Sequence, residues 1–112
     1  GVVCGTLVAS CTRINIEALL ARSPDSPALG KYAEAAAILC QQSFKTRDAA
    51  WQALVDLLAQ WTTRLNLPGL GAYGIKEDSL DHIVAHSRGS SMKTNPIALT
   101  DEEIRQSLRE RL

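Results

Sequence analysis

Apolar side chains recur along this chain every three or four positions, the spacing of one face of a helix. The clearest run is Trp51, Leu54, Leu58, Trp61 and Leu65, widened by Ala50 and Leu57. It predicts an amphipathic helix over roughly Arg47 to Leu65, capped by Thr46, with the whole stripe packed on neighbouring helices. An aromatic stripe of this kind reads as core rather than as a ligand cage.

A second series, Cys4, Leu7 or Val8, Cys11, Ile14 and Ala18, predicts a helix over roughly Val2 to Arg22. Its first half is apolar on nearly every side, and Arg13 brings the first charge. Such a helix is normally enclosed by protein. Gly1 has no side-chain oxygen with which to cap it. Between these two segments, Ser26 is a good N-cap and Pro27 a good first helical residue. They open a helix over roughly Pro27 to Gln41 whose small residues Ala33, Ala35, Ala36 and Ala37 allow close approach by a neighbour.

The glycines and proline of Leu67 to Gly74 interrupt the pattern. Glu77 and Asp78 then favour a helix start, where the dipole welcomes negative charge, and a fourth helix is expected over roughly Glu77 to Ser87. Gly89 ends it. Pro96 restricts Asn95 to extended geometry. Thr100 and Glu103 have capping-box spacing, so a last helix should run from there to Leu112. No alternating run is long enough for a sheet. The expectation is one all-α domain, a bundle of about five helices.

Twelve basic and twelve acidic side chains cancel in 112 residues. A zero balance argues against nucleic acid or a membrane surface as partner. No unbroken apolar run approaches the length that spans a bilayer. Residues Gly1 to Thr12 are uncharged, but they lack the basic flank and small-residue cleavage site of a signal peptide. Cys4, Cys11 and Cys40 form no CxxC pair. They are expected to be buried thiols in a reducing compartment, hence a cytoplasmic protein.

Chemistry is sparse. His82 and His86 stand four apart on the expected fourth helix, half of a metal site, with Asp78 as the nearest third ligand. The zinc-protease pattern requires glutamate after the first histidine, and Ile83 stands there. A solvated pair is the expectation. Gly69, Gly71 and Gly74 lack the lysine and hydroxyl of a phosphate loop and read as turn glycines. Ser10, Ser43 and Ser91 sit in no nucleophile-elbow context. Arg105, Arg109 and Arg111 are offset by Asp101, Glu102, Glu103 and Glu110, as on a solvated face. No catalytic, cofactor-binding or metal-binding residue is therefore assigned.

Two stretches carry more. Ser90-Ser91-Met92-Lys93-Thr94-Asn95-Pro96-Ile97-Ala98-Leu99-Thr100-Asp101-Glu102-Glu103-Ile104 resembles the C-terminal end of the iron-containing (group III) alcohol dehydrogenase family. There a small-residue loop, Asn-Pro and a spacer precede an acidic capping box. Leu65-Asn66-Leu67-Pro68-Gly69-Leu70-Gly71-Ala72-Tyr73-Gly74-Ile75 is similar to that family's linker between helices, and Glu77, Asp78 and Leu80 fit the helix start that follows. Gly1-Val2-Val3-Cys4-Gly5, with Asn15, resembles its helix that begins His-Gly.

The resemblance implies the C-terminal part of a dehydroquinate synthase-like helical domain. Family members bind NAD or NADP in an N-terminal α/β domain. They hold iron, sometimes zinc, by one aspartate and three histidines of the helical domain. The last histidine precedes the glycine that matches Gly1, so the metal ligands and the nucleotide domain are expected upstream. The implied partners are that missing domain, the remainder of the helical domain and a small alcohol or aldehyde; dimers are usual in the family. The chain alone is expected to be inactive and to bind no cofactor. Ser91 and Met92 are the residues expected to line the substrate cleft. The competing expectation is a self-contained helical module that binds a partner through the first helix.

Overall fold

A computed structural model describes all 112 residues. Five α-helices form: α1 (Val2–Arg22), α2 (Pro27–Cys40), α3 (Arg47–Arg64), α4 (Leu80–Ala85) and α5 (Asp101–Arg109). Short 3-10 turns stand at Leu70–Tyr73, Glu77–Ser79 and Ser90–Thr94, and there is no strand. The protein is an all-α bundle.

The caps act where their chemistry puts them. Ser26 accepts from the Ala28 amide, Thr46 from the Ala49 amide, and Thr100 with Glu103 closes a complete capping box. Each satisfies amides that a helix start leaves without partners. Two expected boundaries shift. The fourth helix is a 3-10 turn followed by six α-helical residues, not one helix to Ser87. The last ends at Arg109: the amides of Arg111 and Leu112 bond three residues back, to Leu108 O and Arg109 O, and the carbonyls of Arg111 and Leu112 accept from Leu70 N at 2.6 Å and Gly71 N at 3.1 Å.

Packing runs α2, α3, α1, α5, α4 from one side to the other, in a flat body of 42 × 32 × 20 Å. The core is split. Ile16 and Leu19 of α1 meet Leu29 and Trp51; Ala36 meets Ala50, Leu54 and Leu58; Leu70 meets Leu80, Val84, Ile104 and Leu108. Only 20 of the 112 residues are buried, so much apolar surface stays outside.

That shows in α1. The expected inward stripe holds at Ile14 and Ala18, which are buried, and fails at the start of the helix. Cys4 is exposed and Cys11 and Cys40 are half-buried, so the three thiols are free but not core residues. Val2, Val3 and Val8 are exposed too, while Thr6 and Ser10 are buried. The reason is hydrogen bonding. Thr6 Oγ1 donates to Pro68 O at 2.8 Å and Ser10 Oγ to Ser107 O at 3.0 Å, which fixes those positions inward. The far end of α3 is likewise more open than its stripe implied: Trp61 is 39% exposed and Leu65 69%. Thr62 is buried there instead, its hydroxyl donating to Leu58 O.

By length and composition α1 passes as a membrane span, with a mean hydropathy of 1.3 over its best window. That window is 39% buried inside the protein, and the buried polar groups Thr6, Ser10 and Asn15 bond to other elements of this chain.

Arginine–carboxylate pairs join the elements. Arg105 and Arg109 reach Asp81 and Glu77, tying α5 to the segment before it; they are exposed and individually worth little. The expected solvated face is thus partly a set of bridges, and Arg111 bonds to Thr6 O and Leu67 O instead of a carboxylate.

Glu103 is held more firmly. It accepts from both terminal nitrogens of Arg22 at 2.8 Å and from the Thr100 amide at 2.8 Å. Arg22 first, and the Thr100 amide after it, lower its carboxyl from the usual 4.5 to about 2. A carboxyl with a depressed folded-state pKa contributes stability above its unfolded value and loses it as pH falls through the folded one. As pH falls from about 6 to about 2, Glu103→Gln should therefore lose less free energy of unfolding in urea than the parent, by about 1 kcal/mol, the worth of a cap.

Candidate functional site

The loop between α4 and α5 carries the residues singled out for a substrate cleft. Gly89 precedes the 3-10 turn Ser90–Thr94, and Thr94 Oγ1 donates to Ser91 O at 2.9 Å, closing the turn. Ser91 is exposed. Met92 is half-buried and packs on the Leu70, Leu80, Val84, Ile104 and Leu108 cluster. The structure therefore separates the two: Ser91 offers a hydroxyl to the surface, and Met92 anchors the turn to the core.

Asn95 ties this loop to α1. Pro96 leaves Asn95 extended, at φ −62° and ψ 141°, and its side chain meets buried Asn15. Asn15 Nδ2 donates to Asn95 Oδ1 at 3.1 Å and Asn95 Nδ2 to Asn15 Oδ1 at 2.9 Å, a reciprocal amide pair. Asn95 Nδ2 also donates to Ile97 O at 2.7 Å, and Asn15 Nδ2 to Tyr32 Oη at 3.3 Å. One buried amide thus fastens α1, α2 and the loop together. A buried amide left without its partner costs free energy, so Asn15→Ala should destabilise by about 2 kcal/mol. Chemical denaturation reads the loss; Asn15→Ala in an Asn95→Ala background should cost less, because the partner is already gone.

The linker meets the C-terminal turn at close range. A Cβ at Gly69 would lie 2.8 Å from both Arg111 O and Leu112 O, and one at Gly71 2.8 Å from Leu112 O. These two glycines are needed for backbone approach, whereas Gly74, at φ +83°, is the turn glycine. Arg111 Nε donates to Thr6 O at 3.0 Å and its Nη2 to Leu67 O at 3.2 Å, clamping the junction.

His82 and His86 are both exposed, with ring centroids 4.4 Å apart. Asp78 is exposed as well. No group of three or more His, Cys, Asp or Glu side chains is placed to hold a metal ion. The four-ligand set of one aspartate and three histidines does not fit the donors this chain assembles. Among the thiols, burial pushes Cys11 up, which suits packing better than nucleophilic chemistry.

Two concave surfaces lie away from this loop. One is an apolar groove of about 360 Å³ between the start of α1 and the end of α3, lined by Cys4, Gly5, Val8, Leu58, Trp61 and Leu65 among others. The other is an open groove of about 790 Å³ between α2 and the start of α3. Periodicity alone did not mark either, because each is made by residues from two helices.

Comparison with family models, with curated proteins and with solved structures returns no match.

Proposed function

We propose that this chain is the C-terminal helical part of an NAD(P)-dependent, divalent-metal alcohol dehydrogenase of the iron-containing type. The observation that carries the reading is the Asn15–Asn95 amide pair. It joins two of the stretches on which the resemblance rests, the first helix and the Asn-Pro loop. The close approach of Gly69 and Gly71 to Arg111 and Leu112 gives the linker motif a structural reason as well.

In such an enzyme a divalent metal would supply Lewis-acid polarisation of the alcohol or carbonyl oxygen, and a nicotinamide would accept or give the hydride. The ligands for that metal are assigned to polypeptide outside these 112 residues. What this chain contributes is support. The amide pair holds the Ser90–Thr94 turn, and Ser91 is the polar group it offers to the cleft. The exposed apolar surface of Val2, Val3, Val8, Trp61 and Leu65 is the face that packs on the remainder of the parent domain.

Two measurements test this. The coding sequence upstream of Gly1 should specify a histidine immediately before it and a nucleotide-binding domain further back. The full product, with iron or zinc, should reduce NAD or NADP in the presence of short alcohols, and the 112-residue chain alone should not. A start codon just before Gly1, or turnover by the isolated chain, overturns the proposal.

A second reading draws on the same apolar groove. A self-contained module could use it to grip a partner helix, and the upstream codons separate the two.

A further inference from the structure

We propose that His82 and His86 form a two-point site on the outer face of α4 for a borderline divalent transition cation such as Ni²⁺ or Zn²⁺, and that the bound ion clips the last turn of that helix. The proposal does not depend on the dehydrogenase reading. α4 is held from behind: Leu80 and Val84 are buried, and Ile83 packs on the same cluster. That anchoring fixes the rotation of the helix and leaves His82 and His86 exposed, one turn apart. No hydrogen bond or ion pair within the chain engages either imidazole; the nearby carboxylates Asp81 and Asp101 are taken by Arg105 and Arg88.

The separation of the rings carries the argument. Their centroids lie 4.4 Å apart and their planes are tilted by 55°. A cation about 2.0–2.1 Å from one nitrogen of each ring, with the two bonds about 90–110° apart, sets the ring centres about 4.5–5 Å apart. The observed pair falls short of that by only a few tenths of an ångström, roughly what a small turn of two exposed rings supplies. Imidazole is a donor that Ni²⁺, Cu²⁺ and Zn²⁺ take up, whereas Mg²⁺ and Ca²⁺ prefer oxygen. Asp78, one turn before His82, is exposed, and no third His, Cys, Asp or Glu is placed with the pair, so water completes the coordination.

The consequence is local. α4 has six residues, and His86 closes it, its amide donating to His82 O at 3.3 Å and Ile83 O at 3.2 Å. The chain then leaves for the Ser90–Thr94 turn. An ion joining His82 to His86 spans the same turn as those bonds. It binds only when the turn is formed, so it opposes fraying there.

The experiment is an NMR titration of the 112-residue chain carrying Cys4→Ser, which removes the one exposed thiol. Ni²⁺, Zn²⁺ and Mg²⁺ are the probes. Ni²⁺ should broaden resonances around His82 and His86 saturably, and Zn²⁺ should slow amide exchange at His86 and Ser87. Mg²⁺ should do neither. His82→Gln and His86→Gln should each weaken Ni²⁺ by about tenfold or more, and the double variant little further, because losing either ring ends the chelation. Helical circular dichroism should be retained, since both side chains are exposed. Asp78→Asn should leave the affinity unchanged. The proposal is overturned if either single histidine variant binds Ni²⁺ as the parent does, if broadening centres on Gly1 or on the carboxylates, if Mg²⁺ competes, or if Zn²⁺ leaves exchange at His86 and Ser87 as it was.

Discussion

Trp51→Ala should lower the free energy of unfolding by about 3–5 kcal/mol, the range for deleting a buried aromatic side chain. Trp51 is 8% exposed and joins three helices: it packs with Ile16 and Leu19 of α1 and Leu29 of α2. Its Nε1 donates to Leu29 O at 2.9 Å, so the substitution removes a hydrogen bond as well as the contacts. With a core split into small clusters, neighbouring side chains have few others to collapse with, and the cavity stays open. Trp51→Phe keeps most of the burial and should cost about 1 kcal/mol, mostly the lost hydrogen bond. Trp61→Ala should cost clearly less than Trp51→Ala, although the two tryptophans stand on one sequence stripe. Urea unfolding followed by helical circular dichroism measures all three. Equal losses for Trp51→Ala and Trp61→Ala would contradict the packing described here.

Gly69→Ala should cost about 3 kcal/mol, the upper part of the range for forcing a group into filled space. The added Cβ meets two carbonyl oxygens of the C-terminal turn at 2.8 Å, and neither can rotate away as a side chain does. The turn must lift, and with it go the bonds from Leu70 N and Gly71 N. Arg111 then loses its seat against Thr6 O and Leu67 O. Gly5→Ala is the informative contrast. Its Cβ also meets an atom at 2.8 Å, but that atom is Leu67 Cδ1, the end of a flexible side chain. The cost there should be smaller, about 1 kcal/mol. Gly89→Ala, with nothing within 4 Å, should be near neutral. Protease cleavage after Arg109 or Arg111 would report the lifted turn in Gly69→Ala directly.

These cases show where the chain was readable and where it was not. Thr46, Ser26 and the Thr100–Glu103 box announce their helices because capping is local: the acceptor lies within three residues of the amide it serves. Trp51, Leu54 and Leu58 are buried as their spacing predicts. Trp61 and Leu65 continue the spacing but not the burial, since at that end α1 and α3 leave an open apolar groove between them. The acidic start at Glu77 and Asp78 is real, yet only a 3-10 turn forms there before α4. Gly69 and Gly71 read as turn residues from composition, and their true constraint comes from carbonyls some forty residues further along the chain. The candidate site was legible only in part. Asn95 and Pro96 stood out, but nothing in the local pattern marked Met92 as an anchor.

By itself the sequence determined the class of the fold, the count of α-helices and the capped starts of α2, α3 and α5, because periodicity, prolines and capping hydroxyls act over a few residues. Which faces turn inward was decided only in three dimensions. Thr6, Ser10 and Asn15 are buried in α1 because their partners, Pro68, Ser107 and Asn95, arrive from 62, 97 and 80 positions away. A helical repeat specifies a direction around its own axis; what stands in that direction depends on how the other helices pack.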